Sequence, residues 1–229
     1  MAGQHDLWIF AYGSLMWNPG FVSEEVVHAR LVGWRRSFCI YSRFHRGTPR
    51  RPGLVLGLDR GGVCEGLAFR VSHENAAATL NYLREREQVI SVYREALVPV
   101  TLMNGDRSEV MALAFLVERA HPSYAGAMSL AQQAHFIRGA TGRSGNNIDY
   151  LASTLAHLAD LGIREREMER LLGFVGAHAG RSGPDGHVRA SAAALARVCG
   201  RYPAKTRRPL KPQDAMRFCY RSVLAARKD

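Results

Sequence analysis

The chain has 229 residues, 47% of them hydrophobic and 22% charged, which suits one well-buried core and excludes a fibrous or intrinsically disordered protein. No apolar run approaches the roughly 20 residues of a membrane-spanning helix, and Met1–Asp6 lacks the basic and apolar stretches of a secretory leader, so a cytoplasmic protein with no membrane partner is expected. The net charge of +11 is unevenly placed: from Arg181 onward 12 basic residues stand against Asp185, Asp214 and Asp229, which accounts for +9 of it. Such a basic tail suits contact with nucleic acid or an acidic partner, and equally suits a solvated face.

In chain order, Leu7–Tyr12 is an apolar, aromatic run of strand length that breaks at Gly13-Ser14. Asn18-Pro19-Gly20 reads as loop, Leu31 to Tyr41 as a second strand, and Ser42 to Pro52, rich in Arg, Gly and Pro, as a long loop. Leu54–Leu58, the pair Gly61-Gly62 and Val63–Val71 read as a hairpin turning at the glycines. His73 to Glu87 takes helical period, and Val89–Met103 with Val110–Val117 forms a strand pair about the turn Asn104-Gly105-Asp106.

The remainder is helical in pattern. Ser129 and Gln132 have capping-box spacing and open a helix through Ile137. Gly139–Asn147 is a glycine-rich loop, Ile148, Leu151, Leu155 and Leu158 mark a helical stripe ended by Gly162, and another helix runs to about Val175. The segment Ser182-Gly-Pro-Asp-Gly186 suggests a boundary, with short helices around Ala190–Val198 and Asp214–Ala226 beyond it. Together these predict an α+β domain over 1–181, a small, mostly antiparallel barrel-like sheet packed by helices, followed by a basic helical extension over 182–229.

A strand that stops at Gly13-Ser14 either runs into an ordinary turn or leaves backbone N–H groups to hold a carboxylate or a developing oxyanion. In the helix that follows the hairpin, Ala76, Leu80, Leu83 and Glu87 are spaced 4, 3 and 4 apart, so Glu87 falls on the apolar face while Glu85 falls outside it. A carboxylate on such a face is either a proton carrier or the partner of Arg84, Arg86 or Arg94. The loop Gly139–Asn147 lacks the Gly-Lys-Ser/Thr ending of a phosphate-binding loop, and Asn146 or Asn147 is expected to cap the next helix. Cys39, Cys64, Cys199 and Cys219 are scattered, with no Cys-x-x-Cys pair, and no His-Glu-x-x-His run occurs, so zinc is poorly supported and the thiols are expected reduced and mostly buried. What remains is a site without metal or cofactor, built from backbone donors and one carboxylate.

Several segments in order match a known family: Ile9-Phe-Ala-Tyr-Gly-Ser-Leu-Met-Trp17, Arg35-Arg36-Ser37-Phe38, His45-Arg46-Gly47-Thr48-Pro49, Pro52-Gly53-Leu54-Val55, Gly62–Arg70, Tyr82-Leu83 to Arg86-Glu87, and Ser144–Leu151. Over roughly residues 7 to 175 the chain resembles the ChaC-type γ-glutamylcyclotransferases, which degrade glutathione. The resemblance implies a compact barrel-like fold and a substrate-binding set of Ile9, Phe10, Ala11, Tyr12, Gly13, Ser14 and Leu15, together with Tyr93. It implies Glu87 as the acid/base residue and conversion of glutathione to 5-oxoproline and Cys-Gly without cofactor. Other γ-glutamyl amines as substrates, or a binding protein acting through the basic tail, are the alternatives. The family often carries Gly-Gly-Tyr shortly after the glutamate, where this chain has Ser91-Val92-Tyr93, and the extension from Ser182 has no counterpart in it.

Overall fold

The computed structural model describes residues 5–87 and 91–177. They divide into two compact units, one of residues up to Ser37 with Gly57–His121, the other of Phe38–Leu56 with the residues from Pro122 onward.

The first unit carries most of a closed five-stranded barrel: β1 (Leu7–Ala11), β2 (Glu25–Ser42), β3 (Gly53–Val71), β4 (Tyr93–Leu102) and β5 (Glu109–Val117), in the order β1-β3-β2-β4-β5. Helix α1 (His73–Glu87) links β3 to β4 over the residues its period predicts. β1 is antiparallel to β3, from Leu7 opposite Val71 to Ala11 opposite Leu67, and parallel to β5, with Trp8 opposite Ala112 and Ile9 opposite Leu113. Closure leaves no free edge, and Ile9, Phe10, Leu31, Leu58, Phe115 and Leu116 are all essentially without solvent contact, consecutive pairs such as Ile9 and Phe10 being buried on opposite faces of the sheet.

Two expectations change. The pair Gly61-Gly62 does not turn a hairpin: β3 runs unbroken through it for 19 residues beside the 18-residue β2. Positive φ at both glycines (94° and 79°) lets the strand bend there without ending. β2 begins at Glu25 rather than Leu31, and Glu24 N–H donates to Arg70 O at 2.8 Å at that end of the pair. β4 begins at Tyr93 rather than Val89, and the expected strand residues 89 and 90 lie outside the described residues.

The second unit holds α2 (Leu130–Ile137), a two-residue pair β6 (Thr141–Gly142) and β7 (Gly145–Asn146), α3 (Asn147–Asp160) and α4 (Arg166–Ala177). The capping box of α2 is formed, with Ser129 and Gln132 bonding reciprocally. The glycine-rich loop is therefore a tiny hairpin opening directly into α3. Asn146 is the N-cap of α3 but makes no side-chain cap bond, its amide meeting Thr141 and Asp149 instead. Asn147, fully buried, accepts from Leu54 N–H at 2.6 Å and donates to Leu54 O at 2.7 Å. That position is thus a clamp on the start of β3 rather than a helix cap. Cys39 and Cys64 are buried and unbridged, while Cys199, Cys219 and the predicted helices beyond Ser182 lie outside the described residues.

Candidate active site

β1 delivers Ile9, Phe10 and Ala11 into the core, all at most 1% exposed, and hands over at Tyr12 to a single 3-10 turn, Ser14–Met16. The first bond of that turn runs from Met16 N–H to Gly13 O at 2.9 Å. The turn therefore makes no use of the N–H groups of Gly13, Ser14 and Leu15. Gly13 and Ser14 are half-buried, whereas Tyr12 and Leu15 on either side are buried.

Two arginines hold this segment in place: Arg36, to which sequence reasoning gave no role, and Arg86, which it considered only as an ion partner of Glu87. Arg36, on β2 and 4% exposed, donates through Nε to Tyr12 O at 2.5 Å and through a terminal nitrogen to Glu65 O at 2.6 Å. A guanidinium stays charged at every accessible pH, so burying it next to two carbonyls gives charge-assisted bonds that fix where β1 ends. Arg86, in the last turn of α1, donates to Ser14 Oγ at 3.0 Å, to Asn18 O at 2.7 Å and to the Tyr82 hydroxyl at 2.9 Å. Gly20 lies against the same Tyr82: a Cβ there would run into the hydroxyl, and its φ of +75° is one that side chains rarely adopt. The loop from Ser14 to Gly20 is thereby stitched to the end of α1.

That end carries the predicted acid/base residue. Thr79 and Leu83 are buried in α1, whose last residue is Glu87. Glu85 is exposed, as its spacing predicts. Arg84, one of the partners considered for Glu87, is committed to Glu95 through two bonds of 2.8 and 2.9 Å. The bonded guanidinium holds the Glu95 carboxyl below the usual carboxylate range against a smaller opposing effect of burial. Tyr93 opens β4 opposite Val117 and is half-buried. Just before it, Ser91 adopts a φ of 52°, the left-handed region that glycine occupies without cost.

Residues 12–15, Arg86 and the α1 terminus are thus parts of one bonded network. Among the described residues, no group of three or more His, Cys, Asp or Glu side chains is placed to hold a metal ion, and no helix is long and apolar enough to cross a membrane.

A family model described as ChaC-like protein matches residues 7–178. The chain is 35% identical over 183 residues to the glutathione-specific gamma-glutamylcyclotransferase of Escherichia coli, covering 80% of this chain and 78% of that one. It is also 35% identical over 153 residues to glutathione-specific gamma-glutamylcyclotransferase 1 of Danio rerio, covering 66% and 78% respectively. Among solved structures, a yeast gamma-glutamyl cyclotransferase specific to glutathione shares the fold with a TM-score of 0.68 at 22% identity, over 76% of this chain and 97% of that one.

Proposed function

The chain belongs to the ChaC-like protein family, and from that membership we propose that it is a γ-glutamylcyclotransferase acting on glutathione. The observation that carries this reading is its similarity over four-fifths of its length to an enzyme named for that reaction. The stitched network of residues 12–20 and α1 supports it with a site of the right chemical kind.

In the proposed reaction the α-amine of the γ-glutamyl residue attacks the γ-carbonyl carbon of the same molecule. A carbon–nitrogen bond closes a five-membered lactam, and the bond from that carbon to the cysteine nitrogen breaks. The products are 5-oxoproline and Cys-Gly. The attacking nitrogen loses one proton and the leaving nitrogen gains one, so a single carboxylate, Glu87, serves as base and then as acid. Nucleophile and electrophile share one molecule, and the protein's main task is to fold the substrate into a reactive shape. The N–H groups of Gly13, Ser14 and Leu15 bind a substrate carboxylate or the tetrahedral oxyanion. Tyr93 and the walls provided by Tyr12 and Leu15 complete the substrate set. The buried, unbridged Cys39 and Cys64 support a reducing compartment, the cytoplasm, as its setting.

The test is incubation of the purified chain with glutathione in the presence of EDTA, with 5-oxoproline and Cys-Gly followed by mass spectrometry. Glu87→Gln is expected to fold normally and to lose roughly 10²–10⁴-fold in turnover, the usual range for an acid/base group. Glu85→Gln is expected to retain it. No release of either product from glutathione, with release from γ-glutamyl-alanine, would move the substrate class. Near-normal turnover in Glu87→Gln would remove that residue from the mechanism.

A further inference from the structure

The outer face of the barrel is unusually apolar where β2, β4 and β5 lie side by side. Val32, Leu97 and Met111 are 65%, 62% and 55% exposed, and Pro99, also exposed, is the cross-strand partner of Met111. β4 alternates strictly here, with Val98, Val100 and Leu102 inward and Leu97 and Pro99 outward, so these apolar side chains face away from the core by register. Scattered surface hydrophobics need no explanation, but a contiguous patch on adjacent strands does.

The charges bordering the patch identify an occupant. Arg30, Thr101 and Glu109 form one cross-strand row, Arg30 opposite Thr101 and Thr101 opposite Glu109. Val32, Pro99 and Met111 stand two residues further along the same three strands and on the same face. Arg30 and Glu109 are both exposed and have no ion-pair partner among the described residues. They are separated by one intervening strand, about 10 Å at the usual strand spacing. We propose that this face is the interface of a homodimer whose twofold axis runs along β4. Rotation about such an axis exchanges β2 with β5 at constant height along the strands. It sets Arg30 of one copy over Glu109 of the other, twice, and Val32 over Met111 two residues further along the strands. A row with a cation at one end and an anion at the other is self-complementary under that operation, as an isologous interface requires. Like charges at both ends would repel.

Sedimentation velocity on the full chain tests it. The parent is expected to be a dimer. Met111→Lys is expected to yield a folded monomer, with the parental far-ultraviolet circular dichroism spectrum and a thermal midpoint lowered by the lost association. Arg30→Glu and Glu109→Arg are each expected to raise the dissociation constant at least about tenfold, because the axis makes every substitution count twice. The double exchange Arg30→Glu with Glu109→Arg restores the pairs and should restore the dimer. A monomeric parent, or a dimer indifferent to both single reversals or not recovered by the double exchange, overturns the proposal. So does a monomer in which Val32→Cys is shielded from maleimide only while residues 178–229 are attached, since the chain's own C-terminal segment would then be the occupant.

Discussion

Replacing Asn147 by alanine isolates what the Ser144–Leu151 motif contributes. The amide makes two bonds to one residue, accepting from Leu54 N–H at 2.6 Å and donating to Leu54 O at 2.7 Å, in a site with no solvent access. Alanine removes both partners and leaves two buried backbone groups unpaired, each costing roughly 1–3 kcal/mol. The loss is then about 2–6 kcal/mol, a large share of the ~5–15 kcal/mol that holds a typical domain folded. Water cannot easily repair it, because Gly53 already lies so close that a Cβ there would strike Arg46 O and the Asn147 amide. At roughly 2–4 °C per kcal/mol for a chain of this size, the thermal midpoint should fall by about 10 °C. Circular dichroism melts of the parent, Asn147→Ala and Asn147→Asp would measure it. The aspartate keeps the acceptor for Leu54 N–H but turns a carboxylate toward Leu54 O, and is expected to be no better than alanine. Specific activity per folded molecule, assayed well below both midpoints, should stay within a few-fold of the parent. A midpoint shift below about 2 °C would mean that Leu54 is satisfied some other way and would refute the clamp.

Arg86→Met should lower kcat/KM for glutathione by about 10- to 100-fold through loss of loop placement, with Arg86→Lys recovering only part of it, because an ammonium cannot reach Ser14, Asn18 and Tyr82 together. Steady-state kinetics on a variant with parental kinetics would dismiss the stitching role. Ser91→Gly should stabilise the fold by up to about 1 kcal/mol in urea titration, since the φ of 52° strains serine and not glycine while glycine's looser unfolded chain takes back part of the gain; a loss of stability would contradict it. Burial holds the His28 imidazole below the ordinary value of 6.5, with the Glu65 charge opposing, and burial acts likewise on His157 against Asp160. Below that ordinary value the unfolded chain binds protons that the folded chain refuses. The stabilisation is complete above about pH 6.5 and declines as the pH falls toward the folded-state values. Urea midpoints should drop between about pH 7.5 and 5.5, and His28→Gln should flatten the slope; an unaltered slope would exclude His28 as a contributor.

The elements governed by local chemistry were legible in the sequence. α1 spans His73–Glu87 and α2 is capped by Ser129 and Gln132, because period and capping are properties of neighbours in the chain. The strand ending at the Gly13-Ser14 break was legible for the same reason. What escaped depends on partners far away. Gly61-Gly62 has the same signature whether it turns a hairpin or bends one long strand, and only the comparably long neighbour β2 decides. The alternation through Trp34-Arg35-Arg36-Ser37 places one arginine inward, but nothing local says that the carbonyls of Tyr12 and Glu65 await it. Asn147 looked like a cap because the residue it clamps, Leu54, lies 93 positions away.

The closure of the barrel also dictates when the site can exist. Among the described residues β1 pairs with Leu67–Val71 and Ala112–Leu113, so the strand that ends in the Tyr12–Leu15 segment finds these neighbours 64 and 104 residues later in the chain, from Leu7 to Val71 and from Trp8 to Ala112. Contacts of such separation are closed late and slowly. During synthesis the first strand must wait for the fifth to emerge, holding Trp8, Ile9 and Phe10 uncovered meanwhile. A fragment that stops short of β5 contains every residue of the substrate set and of the acid/base position, yet has no wall on which to assemble them.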